Sequence, residues 1–287
     1  MVRILLCGSA VLDFVFHVTE MPRAPEKYRA EAAEIVGGGV AANAAVAVAR
    51  LGGAAHLFGR RGDDAVGRLI GDELAAEGVD IAGYRVFPGA RSAFSSIYID
   101  AGGERQIMSF RGDGLPADAT WLTETVPEVD AVLTDTRWPA GAAAALRLAA
   151  RRGIPGVLDA EAGDGAWDLL PLASHIAFSR QGLADFAGTP EIAAGLAATG
   201  RLPGFVCVTD GAGGAHTAEA HHPGFAVHAI DTLAAGDVWH GAFTLRLAEG
   251  AGEGEAIRFA HAAAALKCTR PGGRRGTPDR AETDAFL

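Results

Sequence analysis

The chain has 287 residues and a formal net charge of −10, with 49% hydrophobic and 21% charged residues. A chain of this length can bury a large core, and no charge-rich or low-complexity tract interrupts it, so we expect one globular domain over residues 1–287. Nucleic acids and membrane surfaces attract basic patches, so the acidic balance argues against both. Small molecules are therefore the expected partners.

The first apolar run, from Ile4 to Cys7, is far too short to span a membrane, and no signal-peptide pattern follows it. It has the pattern of a first core strand in a cytoplasmic protein. The cysteines Cys7, Cys207 and Cys268 are widely spaced in apolar segments that predict two strands and a helix. We expect buried free thiols rather than a disulfide or a zinc site.

Short apolar runs alternate with helical patterns along the chain, which predicts βαβ units and a parallel sheet with helices on both faces. The predicted strands are Ile4 to Cys7, Ala55 to Phe58, Ala131 to Leu133, Gly156 to Leu158, His175 to Phe178 and Phe205 to Val208. The predicted helices between them are Val66 to Glu77, Ala140 to Arg152 and Glu191 to Ala198. Ligands of such sheets bind at the carboxyl ends of the strands.

Two regions interrupt this rhythm, at about residues 14–36 and 91–110. Both contain alternating segments, including Phe94 to Ile99 and Arg105 to Phe110, with a turn pattern at residues 101–103 between these two. Alternation over six residues is typical of a half-buried strand. We predict antiparallel strands that stand apart from the main sheet.

A glycine-rich motif at residues 37–43 opens an apolar helical pattern, and Gly52-Gly53 ends that helix. Gly38 and Gly39 allow a ligand to approach the backbone closely, and Asn43 offers both a donor and an acceptor. A turn followed by a helix cap explains the same residues and is compatible with binding.

The segment Asp231 to Asp237, Asp-Thr-Leu-Ala-Ala-Gly-Asp, precedes a second apolar helix. The amides of Ala235, Gly236 and Asp237 would stand uncovered at the start of that helix, where the helix dipole attracts anions. A carboxylate among them suits proton removal from an attacking hydroxyl during phosphoryl transfer, which makes Asp237 the candidate base. The alternative is an ordinary N-cap with close helix packing.

The two motifs together resemble the paired signatures of the PfkB/ribokinase family of carbohydrate kinases. The resemblance covers the whole chain and implies a ribokinase-like three-layer α/β/α fold, with a mostly parallel central sheet and a small β-sheet lid over the sugar site. It also implies ATP as cofactor, Mg²⁺ arriving with the nucleotide, a homodimer formed through the lid, and phosphoryl transfer to a primary hydroxyl of a ketose or related sugar.

The chain departs from the family at Ala234, where the pattern usually has glycine. Alanine keeps its N–H but disfavours a positive φ. We therefore expect the anion hole to survive only if this position has a negative φ or if the loop shifts. Asp13 follows the first strand, where the family places an acid that grips sugar hydroxyls, although a turn-forming aspartate is the simpler alternative.

For the nucleotide, the loop from Thr209 to Gly214 resembles the phosphate-side loop of the family. Thr209 and the backbone N–H groups around Gly211 and Gly214 are expected to meet ATP phosphates. Ser179 belongs to the same predicted nucleotide site.

Ser179 and Gly182 stand where many relatives carry an Asn and a Glu that help to hold ATP and magnesium-bound water. Asp159 or Glu161, just past a strand end, is the candidate to compensate. No dedicated metal cluster is visible in the sequence. His240 and His261 fall inside apolar helices and are expected to be packed or capping side chains.

Three cations, Lys27, Arg111 and Arg137, suggest an anionic end on the substrate, although each is equally explained as a solvated surface charge. A finer resemblance, at residues 26–28, 137–138 and 265–274, is to the 6-deoxy-6-sulfofructose kinase branch. A Lys, an Arg and an Asn meet the sulfonate in that branch. Lys27 and Arg137 match, whereas Ser109 stands where the Asn is expected.

Several alternatives stay open at this point. A kinase for 2-keto-3-deoxygluconate, fructose, ribose or a nucleoside fits the same motifs. A non-catalytic sugar sensor on the kinase fold is a further alternative. The departures from the family pattern at Ala234, Ser179 and Gly182 favour it, whereas Asp237 argues against it because a sensor needs no catalytic base. A nicotinamide-dependent oxidoreductase is disfavoured, because no Gly-x-Gly-x-x-Gly follows the first strand.

Overall fold

The computed structural model describes residues 1–287 and contains thirteen strands and nine α-helices. The strands are β1 (Arg3–Cys7), β2 (Val11–His17), β3 (Ala32–Gly38), β4 (Ala54–Gly62), β5 (Tyr84–Phe87), β6 (Phe94–Ile99), β7 (Arg105–Phe110), β8 (Ala131–Thr134), β9 (Gly156–Ala160), β10 (His175–Ser179), β11 (Phe205–Thr209), β12 (Ala215–His216) and β13 (His221–His222). The helices are α1 (Val40–Arg50), α2 (Ala65–Ala76), α3 (Leu122–Thr125), α4 (Pro139–Arg152), α5 (Arg180–Ala187), α6 (Ile192–Ala198), α7 (Ala235–Ala248), α8 (Glu253–Cys268) and α9 (Arg280–Phe286).

The large sheet has nine strands in the order β13-β12-β11-β10-β9-β8-β1-β4-β5. Neighbours are parallel from β11 to β5, and only the short β12 and β13 pair antiparallel. All six predicted core strands and the three predicted helices are present, with ends shifted by a few residues. The short strand β5 was not predicted, because its four residues alternate too briefly to stand out.

Alternate residues of the central strand β1 enter different cores, which explains why its sequence is continuously apolar. Ile4 and Leu6 pack with α1, α7 and α8 on one face of the sheet. Leu5 and Cys7 pack with α4 on the other face. The predicted α/β/α layering is thereby confirmed.

The small sheet has the order β3-β2-β6-β7 and contains the predicted strands of residues 14–36 and 91–110. Two pairs, β2–β3 and β6–β7, are antiparallel hairpins, but β2 and β6 are parallel. The prediction of a wholly antiparallel lid was therefore wrong at this one pair. The chain leaves the first hairpin through α1, β4, α2 and β5, and this long crossover lets it re-enter beside β2 in the same direction.

All three cysteines are free, as predicted, although only Cys7 and Cys207 are buried and Cys268 is half-buried at the end of α8. None of the helices combines the length and apolarity needed to cross a bilayer.

Candidate active site

A cavity of about 460 Å³ lies beyond the carboxyl ends of β1, β4 and β8, beside the small sheet. This is the edge at which parallel sheets collect their ligands. Its volume suits a small metabolite. The predicted site residues that line it are Asp13, Gly39, Asn43, Ser109, Arg137, Ala234 and Asp237.

Asp237 reaches the cavity because α1 and α7 pack closely. A β-carbon on Gly241 of α7 would lie only 2.7 Å from the carbonyl oxygen of Ala44 in α1, so glycine is needed at this crossing. The close approach brings Asn43 of α1 to the first turn of α7, where its Nδ2 donates to Oδ2 of Asp237 over 2.6 Å. The two sequence motifs therefore meet at one hydrogen bond.

Burial raises the pKa of the Asp237 carboxyl from 3.8 to about 7. That value already includes a smaller increase caused by the nearby Asp159 and a decrease caused by the hydrogen bond from Asn43. A carboxylate poised near neutral pH can both hold and accept a proton, which is what a general base requires.

The loop before α7 shows neither the negative φ at Ala234 nor the shift that was expected. Ala234 has φ 64° and ψ 8° and is the one non-glycine residue of the chain with positive φ. The loop keeps the left-handed conformation that glycine favours and carries the strain of an alanine instead of shifting.

Asp231 fixes the shape of this loop. Its Oδ1 accepts from the N–H of Leu233 over 2.8 Å, and its Oδ2 accepts from the N–H of Gly273 over 2.9 Å. The fully buried Lys267 places its Nζ 3.2 Å from Oδ2 and donates to the Asp231 carbonyl over 2.7 Å. These contacts hold Ala234 in its strained conformation.

The proposed anion hole contains two uncovered amides rather than three. The N–H of Ala235 donates to the carbonyl of Thr232 over 3.2 Å, because the left-handed residue closes a turn there. The N–H groups of Gly236 and Asp237 have no acceptor in the protein. Those two amides, at the positive end of the α7 dipole, are the ones available to an anion.

Asp13, on β2, is 9% exposed and faces the cavity. Gly38 does not line the cavity but makes room for Asp13, since a β-carbon there would lie 2.3 Å from Oδ2. Burial raises the pKa of Asp13, whereas a hydrogen bond from Ser95 and the charge of buried Arg274 lower it. Ser109 lies across the sheet, with its Oγ 3.2 Å from that of Ser95.

Gly39 is required by the backbone. Its φ is 94°, and a β-carbon would stand 2.6 Å from Cα of Ala10 and 2.7 Å from the carbonyl oxygen of Ser9. The turn from β3 into α1 can pass this close to the loop after β1 only without a side chain.

The predicted cations occupy different places. Arg137 lines the cavity but forms an ion pair with Glu161, and its Nη1 also donates to the carbonyl of Ala162 over 3.3 Å. Arg111 lines the cavity and is exposed. Lys27 is exposed in the connection between β2 and β3 and is not among the lining residues.

Asp135 and Arg60 were not predicted as site residues from the sequence. Asp135 directly follows β8 and accepts four hydrogen bonds, which tie the ends of β1, β8 and α1 together. The donors are the N–H and Oγ of Ser9 at 2.7 and 2.8 Å, the N–H of Ala41 at 3.3 Å and the N–H of Arg137 at 2.8 Å. An acid immediately after a predicted core strand could have indicated Asp135, whereas no sequence pattern marks Arg60, which lines the cavity from β4.

His240 is packed, as predicted, one turn after Asp237. Its Nδ1 lies 2.7 Å from the carbonyl oxygen of Gly236 and 3.3 Å from Oδ2 of buried Asp159. Burial lowers the pKa of His240 and raises that of Asp159. His261 is packed too, and its Nδ1 accepts from Nε1 of Trp239 over 3.0 Å.

Ser179 and Thr209 are the last residues of β10 and β11, and Gly211 and Gly214 follow β11. These two strands are neighbours in the sheet and lie to one side of the cavity. Ser179 caps α5, because its Oγ accepts from the N–H of Gly182 over 3.0 Å. Gly182 itself is confined, since a β-carbon would lie 2.4 Å from the carbonyl oxygen of Ala160. Both departures from the family pattern thus have a structural role in α5.

The glycine loop after β11 is closed by a hydrogen bond from the N–H of Asp210 to the carbonyl of Gly214, over 2.8 Å. Gly211 and Gly214 have φ of 54° and 95°, a conformation that glycine adopts without strain. Thr209 donates its hydroxyl to the carbonyl of Phe178 over 3.3 Å.

Sequence and structure comparisons both find carbohydrate kinases as the proteins similar to this chain. The sequence model of the pfkB family carbohydrate kinases matches residues 1–280. The ribokinase of Bacillus subtilis is 30% identical, with 99% of each chain covered. The ATP-dependent ribose-1-phosphate kinase of Halopiger xanaduensis is also 30% identical, covering 100% of this chain and 98% of that protein. A structure from Agrobacterium tumefaciens, provisionally named a ribokinase, is 38% identical with a TM-score of 0.90, covering 99% of this chain and 97% of that one.

Proposed function

As a member of the pfkB family of carbohydrate kinases, the chain is a phosphotransferase with an alcohol acceptor, and we propose that it transfers the γ-phosphoryl group of ATP to a primary hydroxyl of an anionic ketose. The specific candidate is 6-deoxy-6-sulfofructose, phosphorylated at the end distant from its sulfonate. The observation that carries the proposal is the cavity itself, which joins a carboxylate of pKa about 7, Asp237, to arginines on other walls.

Asp237 acts as the base. Its carboxylate takes the proton of the attacking hydroxyl, and the hydrogen bond from Asn43 over 2.6 Å holds it in place while the hydroxyl binds. The amides of Gly236 and Asp237 stabilise negative charge on the transferred group. Asp13, Gly39 and Ser109 position the sugar.

The positive charges that line the cavity support an acceptor with an anionic end. Arg111 and Arg137 line the cavity, in a chain whose overall charge is −10. The Halopiger relative is named for a substrate that is itself an anionic sugar. Ser109 can donate a single hydrogen bond to a sulfonate or phosphate oxygen.

We propose that ATP binds over the loop of Thr209, Gly211 and Gly214, beside Ser179, with its terminal phosphate at the start of α7. Mg²⁺ bound with the nucleotide would neutralise phosphate charge. No three metal-binding side chains converge anywhere in the chain. We propose that Mg²⁺ is held mainly by phosphates and water, with Asp159 and Glu161 as the nearby acids, whose charges also raise the pKa of Asp237.

We further propose that the protein works in the cytoplasm as a homodimer joined through the small sheet. Ile35 and Met108 lie in one row on the same face of this sheet and are 47% and 75% exposed, so together they offer an apolar surface that a second copy could cover. Solution scattering should give a dimer mass for the parent protein and a monomer mass for Met108→Glu. Leu69→Glu, at an exposed site on α2, is the matched control and should stay dimeric. A monomeric parent would refute the dimer.

The acceptor is tested by comparing turnover of 6-deoxy-6-sulfofructose and fructose, with the phosphorylated carbon identified by phosphorus NMR. A preference of tenfold or more for the sulfonated sugar would support the proposal. Equal turnover would retain the kinase but remove the anionic acceptor, leaving fructose, ribose, 2-keto-3-deoxygluconate or a nucleoside.

A further inference from the structure

Arg60 is a cavity arginine with no carboxylate partner. The cavity lining contains three guanidinium groups, those of Arg60, Arg111 and Arg137, against the two carboxylates of Asp13 and Asp237. Arg137 is paired with Glu161, whereas neither Arg60 nor Arg111 forms an ion pair in the structure. The positive charge in the cavity that no ion pair holds therefore lies at Arg60 and Arg111.

Arg60 is also held in a fixed orientation. Its Cζ lies 4.6 Å from the ring centroid of Trp138, and its Nη1 donates to the carbonyl of Pro116 over 2.8 Å. Trp138 is itself fixed, since it stacks on Trp121 at 5.7 Å and donates its Nε1 to the carbonyl of Ala117 over 2.9 Å. Such a guanidinium loses little conformational freedom when it binds an anion.

Asp135, the acid nearest in effect to Arg60, does not accept a hydrogen bond from its guanidinium. Asp135, whose charge partly offsets the lowering of the Arg60 pKa by burial, has both oxygens occupied by backbone and Ser9 donors. Nε and Nη2 of Arg60 make no hydrogen bond within the protein. They remain available to a ligand.

We propose that Arg60, with Arg111, binds the tetrahedral oxyanion of the substrate and sets the preference for anionic sugars. This inference rests on the proposed kinase function. In it Arg60, rather than Lys27, is the main anion-binding residue. A sulfonate and a phosphate monoester share the required chemistry. A planar fork of donors suits two oxygens of either group.

The test measures binding of 6-deoxy-6-sulfofructose, fructose 6-phosphate and fructose by calorimetry without nucleotide, so that the readout does not depend on turnover. Arg60→Gln should weaken the preferred anionic sugar by about 10-fold to 100-fold, as expected for loss of a charged hydrogen bond, and change fructose binding less than about threefold. Arg60→Lys should fall between the two, because lysine keeps the charge and loses the fork.

Arg85→Gln is the matched control, since Arg85 pairs with Arg60 across β4 and β5 and also stacks on an aromatic ring, that of Trp121, but is exposed outside the cavity. It should leave all three affinities unchanged. Which of the two anionic sugars binds more tightly distinguishes a sulfonate from a phosphate.

Equal losses for anionic and neutral sugars in Arg60→Gln would overturn the inference and leave Arg60 a bracing residue. Retention of the anionic preference in that variant would overturn it while leaving the proposed acceptor intact. A parent protein that binds fructose as tightly as the anionic sugars would refute both the role of Arg60 and the anionic acceptor. If Arg60→Gln fails to fold, Arg60→Lys and the salt dependence of parent binding decide, because an anion subsite must weaken as salt rises.

Discussion

Replacing Asp237 by asparagine should make the protein much less active and, at the same time, more stable. The folded pKa lies above the ordinary value, at about 7 against 3.8, so the folded state binds the extra proton between those two values. The stability of the parent must therefore fall as pH rises from about 4 to 7, and the loss is complete above pH 7. Asparagine cannot ionise and escapes this loss.

The magnitude follows from the pKa. One pKa unit is worth about 1.4 kcal/mol, so raising this pKa from 3.8 to about 7 costs at most about 4 kcal/mol above pH 7. Asp237 is partly exposed, and solvent screening reduces the expected value to about 2–4 kcal/mol. The new amide can also donate to Oδ1 of Asn43, a buried atom that has no hydrogen-bond partner in the parent.

The assay is urea unfolding of Asp237→Asn and the parent at pH 4 and pH 8, together with ADP release at pH 8. The variant should gain about 2–4 kcal/mol at pH 8 and nothing at pH 4, while turnover falls about 10²-fold to 10⁴-fold. Asp72→Asn, at an exposed site on α2, controls for the loss of one charge and should change neither. A variant that is no more stable at pH 8, or that keeps a tenth of parent turnover, would refute the reasoning.

Three further predictions test the surroundings of the base. Asn43→Ala removes the hydrogen bond that lowers the pKa of Asp237, so the acid limb of the kcat profile should move up by about one pH unit, with recovery near pH 9; an unmoved limb would contradict this. Ala234→Gly relieves about 1–2 kcal/mol of left-handed strain and adds about 0.4–1 kcal/mol of unfolded-state freedom. Thermal unfolding should thus show equal or slightly higher stability with turnover retained, and a clear loss of stability would count against the strain. Gly39→Ala should destabilise by about 2–4 kcal/mol and abolish sugar binding, whereas Gly250→Ala, at a similar φ of 88° but with nothing within 4 Å, should lose only about 1–2 kcal/mol; equal losses would remove the backbone clash as the cause.

The order of polar and apolar residues was sufficient to predict the strands that have a distinct local pattern. β6 and β7 begin and end where alternation predicted, and β1 is found because a strand buried on both faces is continuously apolar. Periodicity does not specify a strand's neighbour, so the parallel pairing of β2 with β6 could not be predicted. That pairing depends on the crossover between them.

The site was predictable where a motif carries the chemistry. The motifs around Asn43 and Asp237 meet in the folded chain. The capture of Arg137 by Glu161 depends on contacts between distant segments, as does the bracing of Arg60 by Trp138. The left-handed backbone of Ala234 could not be inferred either, because alanine alone predicts the opposite.

The central claim, an ATP-dependent kinase for an anionic sugar, is tested most directly by ADP release with Mg·ATP. The panel is 6-deoxy-6-sulfofructose, fructose 6-phosphate, fructose, 2-keto-3-deoxygluconate, ribose and adenosine. We expect the fastest release with 6-deoxy-6-sulfofructose, and release about 10²-fold to 10⁴-fold slower from Asp237→Asn with the same sugar. Faster release with a neutral sugar would contradict the anionic acceptor, and equal release by parent and variant would contradict Asp237 as the base.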